Sequence, residues 1–105
     1  MDFREKTKSY AAIDEYIHSC KQNQFRHNAR VIVRCEGKIL CNEILEVHAS
    51  IETNFCFVDI DWDGEEENYY VRYTNDYQTF EFNNEVLVIS AEDRDGNDIE
   101  IEIYS

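Results

Sequence analysis

The chain has 105 residues, with 43% hydrophobic and 13% aromatic side chains, no proline and three glycines. That is the size and apolar content of one domain with a real core, and it excludes a disordered or low-complexity chain. The net charge of −13 is laid down unevenly. Residues 1–38 hold eight Lys/Arg against five Asp/Glu, and residues 39–105 hold two (Arg72 and Arg94) against eighteen. A surface this negative repels nucleic acid and acidic membranes and attracts basic partners.

The N-terminus, Met1-Asp2-Phe3-Arg4-Glu5-Lys6, is polar with no apolar run behind it. It does not read as a secretory signal, and no run approaches the ~20 apolar residues that span a bilayer. The expected location is therefore the cytoplasm, where Cys20, Cys35, Cys41 and Cys56 stay reduced and read as buried thiols.

Residues 9–22 read as a helix, with Tyr10, Ile13, Tyr16, Ile17 and Cys20 at spacings of three and four. Ser9 is the expected N-cap, with Asp14 and Glu15 toward the favourable end of the helix dipole. From Ala29 the pattern becomes β. Arg30–Cys35 is rich in β-branched residues, Glu36-Gly37 is a two-residue turn, and Lys38–Val47 returns. Asn54–Trp62 alternates, with Cys56, Val58, Ile60 and Trp62 on one face and Phe55, Phe57, Asp59 and Asp61 on the other. Asn68–Thr74 is a Tyr/Val strand broken by Asn75-Asp76. Gln78–Phe82 is a short strand with Phe80 and Phe82 on one face. Glu85–Ala91 and Asp98–Tyr104 close as a hairpin, with Ile99, Ile101 and Ile103 inward and Glu100 and Glu102 outward. One helix followed by six or seven strands on short connections gives an α+β fold. Its mostly antiparallel sheet curls around the helix or closes partly into a barrel.

The acidic residues fall in patterned groups. On a strand, residues i and i+2 share a face roughly 6.8 Å apart, so Asp59/Asp61 and Glu100/Glu102 form rows of carboxylates. Two turns add clusters: Asp63, Glu65, Glu66 and Glu67 in one, Glu92, Asp93, Asp95 and Asp98 in the other. Alternating charge belongs to any half-exposed sheet and protects edge strands. It does not account for a single sign, because ordinary surfaces mix signs. Rows of fixed carboxylates resemble the charge pattern of a nucleic-acid backbone, which a basic groove attracts by the same electrostatics. The expected partner-binding set is these residues together with Asp76 and Tyr70. Tyr69, Tyr70, Tyr73, Tyr77, Phe80 and Phe82 crowd residues 69–82. A tyrosine exposed inside an acidic rim is the natural hot spot of a protein contact.

Other chemistries are weaker on their residues. Asp59-Ile60-Asp61-Trp62-Asp63-Gly64 opens like a calcium loop, but position twelve is Tyr70 where a bidentate Glu belongs, and the flanks alternate like strands. It reads as a hairpin tip. His18, His27, His48 and the cysteines contain no CxxC or other close ligand pair, so no metal site is expected. If Glu36-Gly37 is the turn, Cys35 pairs with Lys38 and Cys41 falls opposite Ile32, so the two thiols do not face each other. No phosphate loop or serine elbow occurs, and the acids lie at solvent-facing positions, so neither catalysis nor a cofactor is expected.

In size, acidity and single-domain design the whole chain resembles small acidic inhibitors from phages and mobile elements, of the anti-CRISPR and antirestriction type. No residue motif carries this resemblance, so no functional residue is transferred from it. It implies a binder that occupies the positively charged nucleic-acid channel of a defence nuclease, an RNA-guided one in the first place, or blocks its activation. Other readings of the same profile are an immunity protein that neutralises a nuclease toxin, and a non-catalytic adaptor that binds through its aromatics.

Overall fold

The computed structural model describes residues 3–19, 27–63, 68–92 and 95–104, with side chains throughout these except at 3–7, 63 and 68–70. In chain order the elements are α1 (Phe3–Ser19), β1 (His27–Cys35), β2 (Lys38–Ile51), β3 (Cys56–Asp63), β4 (Asn68–Thr74), β5 (Thr79–Asn83), β6 (Val86–Glu92) and β7 (Asp98–Tyr104). The fold is α+β, with an N-terminal helix and a curled antiparallel seven-stranded sheet that forms a half-barrel.

Strand order is β4-β3-β2-β1-β7-β6-β5, and every neighbouring pair is antiparallel. The edge strands β4 and β5 are consecutive in the chain, joined by residues 75–78 alone. In a flat sheet six inter-strand spacings separate them by about 29 Å. Five residue steps reach at most about 18 Å. The sheet must therefore roll until its edges approach. The long β2 supplies the stagger that rolling requires: Lys38–Val47 pairs with β1, while Glu46–Ile51 pairs with β3. Sliding β3 and β4 along the sheet in this way is the shear that curls a barrel.

The helix lies inside the curl, packing on β5 and on β2, β3 and β6. It begins six residues before the expected Ser9, because Arg4, Glu5, Lys6 and Lys8 are good helix formers with no Gly or Pro to stop them. Ser9 is therefore no N-cap. It is buried in mid-helix on the same stripe as Ala12, Ile13 and Tyr16, and its Oγ has no hydrogen-bond partner. Residues 20–22, the expected end of the helix, lie outside the described residues. Ile13 and Tyr16 are fully buried against inward residues such as Val31, Val47, Ile60, Phe80, Ile89 and Ile103. Ile13→Ala should cost about 2–5 kcal/mol by cavity formation.

The strand readings hold, two of them (Asn68–Thr74 and Asp98–Tyr104) to the residue and the others with ends moved by up to four residues. Inward and outward faces of β3, β5 and β7 are as the alternation implies: Cys56, Val58, Ile60, Phe80, Ile101 and Ile103 are buried. Glu36-Gly37 closes the β1–β2 hairpin with both residues at positive φ (51° and 83°), a turn whose twist matches that of the strands. One register expectation fails. Cys35 does pair with Lys38, but Cys41 pairs with Val33 rather than Ile32. A β-bulge at Leu40 adds a residue to β2 and moves Cys41 to the inner face, where it packs against the core. The thiols also differ in burial: Cys56 is buried and Cys35 and Cys41 are half-buried. Cys20 lies outside the described residues.

Candidate partner-binding surface

The charge that is segregated along the chain is mixed in space. β1, from the basic segment, is the central strand of the seven. Its outward Arg30 and Arg34 therefore stand between the acidic strands. Arg34 Nε donates to Glu102 Oε1 at 2.6 Å, and the Glu102 side chain is only 19% exposed. That hydrogen bond, with the charges of Glu102, Tyr104 and Glu100, holds the Arg34 guanidinium above its ordinary pKa. Arg30 donates to Asn42 on the neighbouring strand.

A second arginine does the same on the same face, at the β4 edge of the sheet. Arg72 pairs across strands with Asp59 and donates two hydrogen bonds to it, at 2.8 and 3.0 Å. Its guanidinium also stacks 4.0 Å over the Phe57 ring, which His48 meets edge-on. These contacts bury Phe57 on the outer face. Asp59 is thus a strand-to-strand clamp, with its side chain 14% exposed. Asp61 lies opposite Glu46, half-buried, and its Oδ1 is buried without a hydrogen bond.

The row expected on β3 and the row expected on β7 share the convex face, but β2 and β1 separate them. Asp59, Asp61 and Asp63 lie along one extended strand, so they do not converge as the ligands of one ion would. Among the described residues no three His, Cys, Asp or Glu side chains are grouped to hold a metal. Glu65, Glu66, Glu67 and Asp93 lie outside the described residues. Tyr70 is placed by its backbone opposite Asp61.

The remaining acids gather at one place. Glu92 and Asp98 face each other across β6 and β7, and Glu100 faces Ser90, which faces Thr79 on β5. With Tyr77 these side chains line a groove of about 670 Å³. Asp76 precedes Tyr77 and Asp95 lies in the β6–β7 turn, both exposed. No described Lys or Arg lines the groove.

Tyr77 is 85% exposed, yet its turn is anchored. Asn75 is fully buried; its Oδ1 accepts from Cys56 N–H at 3.1 Å and its N–H donates to Cys56 O at 3.3 Å. Tyr77 and Gln78 N–H both donate to Thr74 O, and Gln78 Oε1 accepts from Thr74 N–H at 2.9 Å. A large aromatic on a fixed turn, inside an acidic rim, loses little freedom when a partner covers it. The sequence pointed to exposed tyrosine in general. What singles out Tyr77 is its place in the connection 75–78, just after the breaker Asn75-Asp76, which the topology uses to join the two sheet edges. Thr79 and Ser90 carried no sequence signal.

Burial shifts the titration of two thiols, Cys56 and Cys41. It pushes Cys56 up to about 11, and pushes Cys41 up with help from the Glu43 carboxylate. No helix among the described residues is long and apolar enough to cross a membrane. Compared with known proteins, the chain matches no family model, no curated protein and no solved structure.

Proposed function

We propose that the protein is a non-catalytic acidic binder that inhibits a basic, nucleic-acid-binding partner in the cytoplasm. The observation that carries this reading is the groove around Tyr77. Glu92, Asp98 and Glu100 line it, and no described Lys or Arg does. Paired strands fix the backbone beneath these carboxylates, so binding orders only their side chains, and Tyr77 supplies the apolar contact that charge alone lacks.

Such a surface fits a groove built to hold a phosphate backbone. The partner class proposed first is an RNA-guided defence nuclease, whose duplex channel is positively charged. The chain would then act as an anti-CRISPR-like protein, made by a phage or mobile element and working in the host cytoplasm. It would need no cofactor and no direct contact with nucleic acid or membrane.

The test is inhibition of guide-directed DNA cleavage by a panel of such nucleases, with the wild-type chain and the Glu92→Lys/Asp98→Lys/Glu100→Lys triple variant. The expected result is inhibition that weakens with salt and is lost in the triple variant. Equal inhibition by both proteins sinks the role of this surface.

A further inference from the structure

We infer that the open part of the curled sheet is a pocket for one large apolar side chain of a basic peptide segment. The inference rests on the reading of the chain as a binder of basic proteins, and it adds the anchor that such a partner must present.

The pocket is a cup of about 490 Å³. Its walls come from six strands, with Val33, Cys41, Trp62, Tyr73, Ile99 and Ile101 among the lining residues, and no residue of α1 lines it. A volume of this order holds any amino-acid side chain, and apolar walls with few polar groups are the usual make-up of a binding pocket.

Two further features say what enters. The first is Leu40 at the lip, 62% exposed. The bulge puts it there: Cys41 pairs with Val33 and Ile39 with Arg34, leaving Leu40 between them without a partner residue. A large apolar side chain held out at the rim of an apolar cup gains burial only when the cup is occupied. The second is charge. The cup and the Tyr77 groove share Gln78, Ala91, Glu92 and Ile99, so the acidic groove runs directly into the apolar cup. The one described arginine at the cup, Arg72, is committed to Asp59 and the Phe57 ring. Arg34, opposite Glu100, is bonded to Glu102, so three carboxylates, Glu92, Asp98 and Glu100, outweigh it and leave the mouth negative. An anchor flanked by Lys or Arg is drawn in, and one flanked by acids is repelled.

Trp62 is the sole tryptophan of the chain and lines the cup, so its emission reports occupancy. The experiment titrates the full chain with three capped pentapeptides: Lys-Arg-Phe-Arg-Lys, the same with Ala in place of Phe, and Glu-Glu-Phe-Glu-Glu. The basic Phe peptide is expected to bind at least tenfold more tightly than the Ala peptide and to shift Trp62 emission, while the acidic peptide does not bind. Ala91→Phe, which fills the cup, should abolish the Phe advantage. Leu40→Ser removes a side chain that is already exposed, so it leaves the core intact, and it should shrink the same advantage.

If the Phe and Ala peptides bind alike and both weaken with salt, the anchor pocket is wrong and the acidic surface stands. A Phe advantage unchanged in both variants places the anchor elsewhere and overturns the proposal. Failure of every peptide to bind removes the pocket and the acidic-surface reading together.

Discussion

Asn75 and Cys56 hold each other by backbone and side chain: Asn75 Oδ1 accepts the Cys56 N–H, and the Asn75 N–H donates to the Cys56 carbonyl. This contact ties the link between the two sheet edges to the start of β3. It is what turns a four-residue connection into a rigid seat for Tyr77. Asn75→Ala leaves the buried Cys56 N–H without its acceptor, which should cost about 1–3 kcal/mol. Urea unfolding measures it. Tyr77→Ala, on the exposed side of the same turn, should stay within about 0.5 kcal/mol of wild type. A Tyr77→Ala variant as unstable as Asn75→Ala is incompatible with this division of labour.

His27 gives the fold a pH dependence with a definite sign. Its Nε2 lies 2.6 Å from the Tyr16 hydroxyl, which joins α1 to β1. Burial, and then the neighbouring His48, lowers its pKa below the ordinary histidine value. Above that ordinary value, about 6.5, both folded and unfolded chains carry a neutral His27 and its contribution is whole. As pH falls through 6.5 the unfolded chain takes a proton that the folded chain refuses, so stability is lost on the acid side. His27→Gln should flatten the urea midpoint against pH between 7 and 5, relative to wild type. An unchanged slope assigns the effect to another group.

Most of the architecture was legible because the alternation in these strands is clean. Ile99, Ile101 and Ile103 against Glu100 and Glu102 can be read only one way, and the turn residues Glu36-Gly37 set the first hairpin. Three things were not legible. The early start of α1 was hidden because Ser9 mimics a cap, and only its burial on the inner stripe of the helix shows that it is not one. The bulge at Leu40 was hidden because the hydrophobic run 39–41 fits either register, and hairpin pairing alone decides it. The spatial mixing of charge was hidden because strand order is non-local: β1 inserts its arginines between β2 and β7. For the same reason the candidate site contracted. Asp59 and Glu102 read as equal members of the acidic rows, yet each is engaged by an arginine across the sheet.

That engagement separates two kinds of acid. Arg72→Leu removes the partner of the nearly buried Asp59 and the cation over Phe57. It should destabilise by about 1–2 kcal/mol, read as a lower melting temperature. Glu81→Gln, at an exposed position of β5 opposite Val88, should leave the melting temperature unchanged. Equal effects from the two would mean that the Arg72 clamp contributes no more than solvent-facing charge.

The β5–β6 turn carries strain that can be relieved. Asn84 and Glu85 both take positive φ (53° and 65°), the geometry of a tight hairpin turn that favours Asn-Gly. A glutamate there meets the clash between its Cβ and the carbonyl, at about 1 kcal/mol. Glu85→Gly should therefore stabilise the protein by about that amount, seen as a higher urea midpoint at unchanged slope. The substitution also removes one exposed acid from the β5–β6 turn, at the opposite end of the hairpin from the Tyr77 groove, so binding should not change. A lower midpoint would show that the Glu85 side chain does more for the fold than its backbone costs.

The buried thiols predict an order of chemical modification. Thiolate is the reactive form, and burial holds Cys56 up to about 11. At neutral pH Cys56 should react with a thiol reagent only as fast as the protein unfolds. Cys41 is half-buried on the inner face at the cup, and it too is shifted up, by burial and by Glu43. It should react slowly, but without global unfolding. Mass mapping of labelled cysteines over time distinguishes the two. A basic Phe-bearing peptide seated in the cup should slow Cys41 and leave Cys56 unchanged. Labelling of Cys41 at the same rate with and without that peptide would contradict the cup as its seat.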